Sequence, residues 1–176
     1  MSGSNDLRLI APDRGLKRDF LQMAGEFAAE GSTRWTEARE DFESYFVRHE
    51  GCLDRNRLPR GAVAWTAYWL QQSDGQIVGR SSLRHELNDY LRREGGHIGY
   101  AIRPSARRQG YGTRILALTL VEARKLSFSR VLVTCDAINI GSRRIIERNG
   151  GVLEDDVISS ESGQVVLRFW IDLAQP

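Results

Sequence analysis

The sequence contains little cysteine and no long apolar run, and each shortage excludes a class of protein. Its 176 residues include two cysteines, Cys52 and Cys135, which are too few and too far apart for a metal cluster or a disulfide framework. No stretch approaches the roughly 20 apolar residues that a membrane-spanning helix needs. The first residues, MSGSNDLRL, lack the basic and apolar regions of a secretory signal. We therefore expect a cytoplasmic protein with no metal and no membrane partner.

A strong net charge is also missing. The 25 basic and 23 acidic residues leave a net charge of +2, which provides no general attraction to nucleic acid. The arginine-rich segment 103–114 lacks the interleaved aromatic residues of many nucleic-acid sites, so we expect no nucleic-acid partner. Any anion site must be local. With 41% apolar and 27% charged residues and no repeat, the composition is typical of one globular domain over residues 1–176.

The hydrophobic pattern predicts a mixed α/β protein. Strands are expected at 7–11, 62–70, 77–84, 97–104, 130–136, 152–158 and 164–172. Helices are expected at about 16–27, 36–49, 112–126 and 139–150, and 51–60 is expected to be a polar loop. This order lacks the repeated strand–helix units of a doubly wound sheet.

The segment RPSARRQGYGTRIL, residues 103–116, has the properties of an anion site. It follows a predicted strand and opens a predicted helix, whose N-terminus would present unpaired N–H groups and partial positive charge. Gly110 and Gly112 have no Cβ atom to obstruct a phosphate, and Arg107 and Arg108 add positive charge beside them. A Walker A loop is excluded because Gly112 is not followed by Lys-Ser/Thr. A dinucleotide fingerprint is excluded because position 115 is Ile, and a tight turn without ligand stays open as the alternative.

With its flanks, this segment resembles the GNAT family of N-acetyltransferases. Arg107-Arg108-Gln109-Gly110-Tyr111-Gly112 matches that family's (Arg/Gln)-x-x-Gly-x-(Gly/Ala) acetyl-CoA signature. HIGYAIRPSAR before it resembles the family's fourth strand, and VLVTCDAINIGSRRIIERNGGV resembles its next strand and helix. The resemblance covers residues 97–153. It implies an α/β (α+β) fold with a mixed, mostly antiparallel seven-stranded sheet, about four helices, and two central parallel strands that splay apart.

The resemblance also implies an activity and a cofactor site. The protein would transfer an acetyl group from acetyl-CoA directly to a primary amine through a tetrahedral intermediate, without a metal. The backbone at Ala101, Ile102 and Arg103 would pair with the pantetheine arm. The diphosphate would be held by Arg107, Arg108, Gln109, Gly110, Tyr111, Gly112 and Thr113. Asn139 and Ser142 would lie beside the distal pantetheine.

Proton transfer is less well defined by the sequence. His97 matches the position of the family's usual carboxylate base, and the ordinary histidine pKa near 6.5 suits proton acceptance. The alternative is that His97 has a purely structural role. His85 and Glu86 are rival candidates for the base. The family's usual tyrosine acid is replaced by Ile146. The acid therefore stays unassigned, with neither Tyr100 nor Tyr111 an obvious substitute. Cys135 is expected to be a buried strand residue rather than a nucleophile.

The amine acceptor and the assembly state are not predicted by the sequence. An acidic, aromatic cleft for a cationic amine would be formed by the aromatic residues Trp35, Tyr45, Trp65, Trp69 and Trp170 and the acids Glu37, Glu40, Asp41 and Glu43. A helix that merely exposes its charges explains the same acids. The alternative function is a non-catalytic module that binds acyl-CoA, which the missing tyrosine at Ile146 would suit. A homodimer is left open.

Overall fold

The computed structural model describes residues 6–54, 56 and 58–173. Residues 1–5 lie outside the described residues. They form part of the segment from which no secretory signal was expected. The described residues contain eight strands: β1 (Arg8–Ile10), β2 (Gly51–Cys52), β3 (Trp65–Gln71), β4 (Ile77–Arg84), β5 (Ile98–Ile102), β6 (Arg130–Asp136), β7 (Val152–Ile158) and β8 (Val165–Asp172). The same residues contain five α-helices: α1 (Lys17–Ala29), α2 (Thr36–Glu40), α3 (Phe42–His49), α4 (Tyr111–Lys125) and α5 (Ile140–Arg148).

The strands form two antiparallel sheets. The first has the order β1-β3-β4-β5, with β2 also pairing with β3, and the second has the order β6-β8-β7. The mixed, antiparallel α/β class expected from the sequence is confirmed. The additional strand comes from the predicted polar loop 51–60, where Gly51 and Cys52 pair with Thr66 and Trp65.

The helix expected over 36–49 is divided in two at Asp41. The backbone of Asp41 leaves helical geometry (φ −142°, ψ 89°), and its carboxylate accepts a hydrogen bond from the Ser44 amide. Asp41 therefore acts as the N-cap of α3, because a short acidic side chain satisfies an amide that the helix leaves free. The prediction of one continuous helix was wrong because the apolar pattern continues through this cap.

Helices cover both faces of the first sheet. Aromatic residues of α1 and α3 pack against Trp69 of β3, and the Phe20 ring stacks on the Trp69 ring at a distance of 4.8 Å. Helix α4 packs on the opposite face, where Ser81 and Thr119 share a buried hydrogen bond of 2.8 Å. A second core joins α4 and α5 to the second sheet around Leu116, Ile146 and Phe169. Within the described ranges, no helix is long and apolar enough to span a membrane.

Candidate active site

The strands β5 and β6 diverge, and the cleft between them is the candidate active site. Strand β5 pairs with β4 along one edge, and β6 pairs with β8, but β5 and β6 belong to different sheets. Two cavities open along the free edge of β5, and both are lined by Tyr100 and Ala101. A strand edge without a partner strand presents unpaired backbone groups, which an extended ligand can satisfy.

His97 closes the end of this cleft. Its amide donates a hydrogen bond of 2.7 Å to the Leu132 carbonyl, and its Nδ1 accepts one of 2.8 Å from the Leu132 amide. The ring is 8% exposed and packs edge-on against Phe128. Burial, together with the charges of Arg84 and Arg92, lowers the pKa of His97 to about 4. Neutral His97 therefore joins the two sheets, with its remaining proton on Nε2.

The glycine turn forms the other end of the cleft. Arg108 and Gly110 both have left-handed backbone geometry, with φ of 66° and 83°, directly before α4 begins at Tyr111. A non-glycine residue at positive φ stores strain, which is common where backbone amides are arranged for a ligand. Gly112 has another function: a Cβ there would clash with Cδ1 of Ile145. Its absence lets α5 approach the start of α4.

Some of the predicted cofactor residues line the cavity beside the glycine turn, and the others do not. The cavity beside the turn is lined by Ala101, Ile102, Arg107, Arg108, Gly112, Asn139 and Ser142, so the fold brings these residues together. Gln109 and Gly110 lie in the same turn, whereas the Tyr111 side chain is buried and its hydroxyl accepts from Gln72. Thr113 contributes its carbonyl to Asn149.

Arg103 lies outside the cleft and has a structural environment. Its amide donates to the Val78 carbonyl, so this part of its backbone is already paired with β4. Its guanidinium is 4% exposed and forms ion pairs of 2.6 Å with Glu26 and 3.2 Å with Asp19. The contact between Arg103 and the pantetheine arm therefore stays a prediction. The Arg103 amide is not free to make that contact because it is already bonded to the Val78 carbonyl.

Tyr100 is the functional candidate that sequence reasoning passed over. Its hydroxyl lies 2.8 Å from the Ser142 hydroxyl, across the opening between β5 and α5. Burial raises the pKa of Tyr100 to about 12, so the phenol keeps its proton at neutral pH. Asn139 supports this arrangement because its side chain caps α5 by accepting from the Ser142 amide.

Two other predicted groups receive structural explanations. Cys135 is buried in β6, and burial beside Asp136 raises the pKa of its thiol to about 11, which disfavours a thiolate nucleophile. The rival base His85 shares a hydrogen bond of 2.9 Å with Thr66 and, like Glu86, is absent from the residues that line the cleft.

The acids of α2 and α3 do not make the cleft acidic. Glu37 pairs with Arg48 and His49, and Glu43 pairs with Arg14 and Lys17. These pairs lie on exposed helix faces, so the alternative of a charged helix surface accounts for them. Trp35 does line the cleft, together with an unexpected carboxylate, Glu94. In the described part of the chain, no three His, Cys, Asp or Glu side chains are grouped to hold a metal ion.

Comparisons with known proteins agree with this architecture. A family model described as an acetyltransferase (GNAT) domain matches residues 7–152. A comparison with curated protein sequences gives no significant match.

Solved structures share the fold. A chimera of spermidine N-acetyltransferase SpeG from Vibrio cholerae and hSSAT has a TM-score of 0.67 at 18% identity, covering 95% of each chain. The Vibrio cholerae spermidine N-acetyltransferase in complex with CoA and spermine has a TM-score of 0.66 at 18% identity, also covering 95% of each chain. A Salmonella typhimurium acetyl transferase that modifies the N-terminal serine of ribosomal protein L7/L12 has a TM-score of 0.67 at 19% identity, covering 97% of this chain and 96% of that one. The matched family domain and the shared fold show that this chain belongs to the GNAT acetyltransferase family and is an acyltransferase.

Proposed function

We propose that this protein transfers the acetyl group of acetyl-CoA directly to a primary amine. The observation that carries the proposal is the cleft along the free edge of β5, which leads to the glycine turn at the start of α4. The solved relatives acetylate spermidine or the N-terminal serine of a ribosomal protein, so amine acetylation on this fold is chemically established.

The residues of the turn fit a diphosphate. Helix α4 begins directly after the left-handed Gly110, which as a glycine offers no capping side chain to the start of the helix. Arg108 is exposed beside the cavity. Arg107 is anchored through Glu30 and the Ile102 carbonyl, which positions its charge between the turn and β5. Asn139 and Ser142 face the distal arm of the same cofactor.

The reaction needs two proton movements. A carbon–nitrogen bond forms between the acetyl carbon and the neutral amine, and the carbon–sulfur bond breaks. The departing thiolate takes a proton, for which we propose the Tyr100 hydroxyl because Tyr100 lines both cavities. Ser142 positions this hydroxyl through their shared hydrogen bond.

The nitrogen also loses a proton. His97 as its acceptor stays a prediction, but the only lone pair of the neutral ring is occupied by the Leu132 amide. We therefore favour solvent water in the cleft as the immediate acceptor, with His97 as a positioning residue that holds the two sheets at the correct separation.

The overall proposal is tested with acetyl-CoA and a library of amines, with release of free thiol as the readout. Gly110→Asp would place a carboxylate against the diphosphate, so we expect acetyl-CoA affinity to fall at least tenfold by calorimetry. The matched control is Gly61→Asp, which changes another loop glycine whose φ is also positive. Unchanged affinity in Gly110→Asp would remove the turn from the cofactor site. Tight acetyl-CoA binding with no acetylated amine would support the non-catalytic module instead.

The role of Tyr100 is tested with Tyr100→Phe. Removing a catalytic acid typically lowers a rate by 10²–10⁴-fold, so kcat should fall by roughly 100-fold while acetyl-CoA affinity changes less than about threefold. Ser142→Ala should have a smaller effect because the phenol is retained. An unchanged kcat in Tyr100→Phe would exclude the tyrosine as the acid.

A further inference from the structure

One face of β4 carries two arginines into the cleft. Residues alternate between the faces of a strand, so Arg80, Ser82 and Arg84 share a side. Ser82 pairs with Ala67 on β3 and with Gly99 on β5. Ser82, Ala67 and Gly99 have small side chains and lie in a row across the sheet. The longer side chains of Arg80 and Arg84 lie on either side of this row. The row is the floor of a cleft that the arginines flank.

Among the described residues, these arginines have no carboxylate partners. Arg80 donates to the His49 carbonyl at 3.3 Å, and Arg84 donates to the carbonyls of Gly95 and Gly96. Arg34, which lines the same cleft, contacts the Trp35 ring from 5.9 Å. Within the described residues, none of these three arginines forms an ion pair, unlike Arg103.

The arginines also repel one another. Burial and the neighbouring charge of Arg80 both lower the pKa of Arg34 and of Arg84. His49, which borders the outer part of the cleft, has a lowered pKa from burial and from the charges of Arg80 and Arg48. The three arginines form no ion pair within the described residues, and an anionic ligand would relieve their mutual repulsion.

Charge is distributed unevenly along the cleft. The inner part, next to Tyr100 and the thioester end of the proposed cofactor site, is lined by the carboxylates Glu94 and Asp136 together with Arg34, Arg80 and Arg84. Glu94 is turned toward Ser160, whose amide and hydroxyl both donate to it. The outer part contains Arg80, Arg84, His49 and Asn88, and none of its described lining residues is acidic.

From this arrangement we infer that the acceptor is an amine that also carries an oxyanion, a carboxylate or a phosphate. The inference rests on the proposed function. The amine points inward toward Tyr100, and the oxyanion binds the guanidinium groups of Arg80 and Arg84, with Arg34 adding positive charge from the opposite wall. A polyamine, which is cationic at both ends, would instead place like charge against these arginines.

The test compares acceptors that differ only in the anion. Initial rates of thiol release are measured for ethanolamine phosphate against ethanolamine and for 4-aminobutyrate against 4-aminobutanamide, with spermidine as the cationic probe. We expect at least one anionic member to exceed its neutral partner at least tenfold in kcat/KM. The two pairs separate a phosphate acceptor from a carboxylate acceptor. Equal rates within both pairs, or spermidine as the best acceptor, would overturn the inference.

Arginine variants locate the effect. Arg80→Gln and Arg84→Gln should raise KM for the anionic acceptor about 10- to 100-fold and leave the neutral partner within about twofold, because a charge-assisted hydrogen bond is lost. Arg80→Lys should recover part of the loss. If the Arg80 and Arg84 variants fail to fold, Arg34→Gln replaces them in the test. This variant should fold because the Arg34 guanidinium makes no hydrogen bond within the described structure. Arg124→Gln, on the exposed side of α4, is the matched control.

Failure of the inference and failure of the proposed function are distinguishable. If no amine releases thiol, calorimetry of ethanolamine phosphate and 4-aminobutyrate with the CoA complex still measures the anion site. Binding that is lost in Arg80→Gln would then support the site and overturn only the transferase proposal. No binding of either probe would overturn both.

Discussion

At the scale of single residues, His97 shows how a catalytic residue type can serve the fold. Its main-chain amide and its Nδ1 make the two hydrogen bonds to Leu132 that a neighbouring strand would otherwise make. These bonds stop β5 and β6 from separating completely, so the cleft begins only beyond His97. A histidine at the edge of a strand is compatible with a catalytic or a structural role. The contact with Leu132, 35 residues later in the chain, favours the structural role.

Substitution of His97 separates the two roles. His97→Ala removes the acceptor for the buried Leu132 amide, so unfolding free energy should fall by about 1–3 kcal/mol, measured by urea denaturation. His97→Asn retains an acceptor oxygen near the Nδ1 position but has no group that titrates as a base. We expect His97→Asn to keep most of the stability and activity. Native stability in His97→Asn combined with a kcat loss as large as that of His97→Ala would instead establish His97 as the base.

The pKa of His97 also predicts the pH dependence of stability. The folded-state pKa of about 4 lies below the ordinary value of 6.5, so the unfolded chain binds a proton more readily. The stabilisation is therefore fully present above pH 6.5 and is lost as the pH falls toward 4, by up to about 3 kcal/mol. Urea denaturation at pH 7.5 and pH 5 should show this loss, and the slope should be smaller in His97→Asn. Identical slopes would assign the acid sensitivity to other groups.

At the scale of elements, the two glycines of the turn have different physical functions. Gly110 has open space around it but a φ of 83°, whereas Gly112 has an ordinary φ and no room for a Cβ beside Ile145. The first glycine therefore determines the direction of the chain entering α4. The second determines how closely α5 packs on α4, and with it the position of Asn139 and Ser142 opposite β5.

Alanine substitutions distinguish these functions. Gly112→Ala should cost about 1–2 kcal/mol through its contact with the Ile145 side chain, and most of this cost should disappear in an Ile145→Ala background. Gly25→Ala is the control, because its Cβ meets nothing within 4 Å in helix α1. That change should be neutral or stabilise by up to about 1 kcal/mol. Additive costs of the Gly112 and Ile145 changes in thermal denaturation would refute the close-packing explanation.

At the scale of the whole molecule, Arg103 connects the N-terminal helix to the end of β5. Its guanidinium is buried between Glu26 and Asp19 of α1 and also donates to the Ile77 carbonyl. This ion-pair network fixes α1 over the sheet, and α1 supplies Phe27 to the proposed cofactor cavity. The single domain over 1–176 stays a prediction, and these contacts show how its N-terminal part is joined to the sheet.

Arg103→Met should lower the unfolding free energy by about 3 kcal/mol, because two partly buried carboxylates lose their counter-ion. Lys125→Met removes an exposed pair with Glu122 and should cost less than about 1 kcal/mol. Urea denaturation of the two variants provides the comparison. A similar, small loss in both would mean that burial does not strengthen the Arg103 network.

The sequence by itself determined the features that depend on near neighbours along the chain. The strand before Pro104, the glycine turn, the start of α4, the Asn139 cap and the left-handed Gly150 after α5 are all local patterns of backbone geometry and hydrogen bonding. The acetyl-CoA signature lies within one such pattern, so the family was recognisable without coordinates. The division at Asp41 is the local feature that was missed, since a cap and a helix interior share the same apolar period.

Only the tertiary structure decided which distant residues meet. Leu132 binds His97, Ser142 meets Tyr100, and Glu26 neutralises Arg103, in each case between residues more than 30 positions apart. Strand pairing decided that Arg80 and Arg84 share a cleft with Gly99, because register rather than composition determines the neighbours of a side chain. Burial and unpaired charge are properties of these long-range contacts, and the proton donor and the acceptor class proposed for this enzyme depend on both.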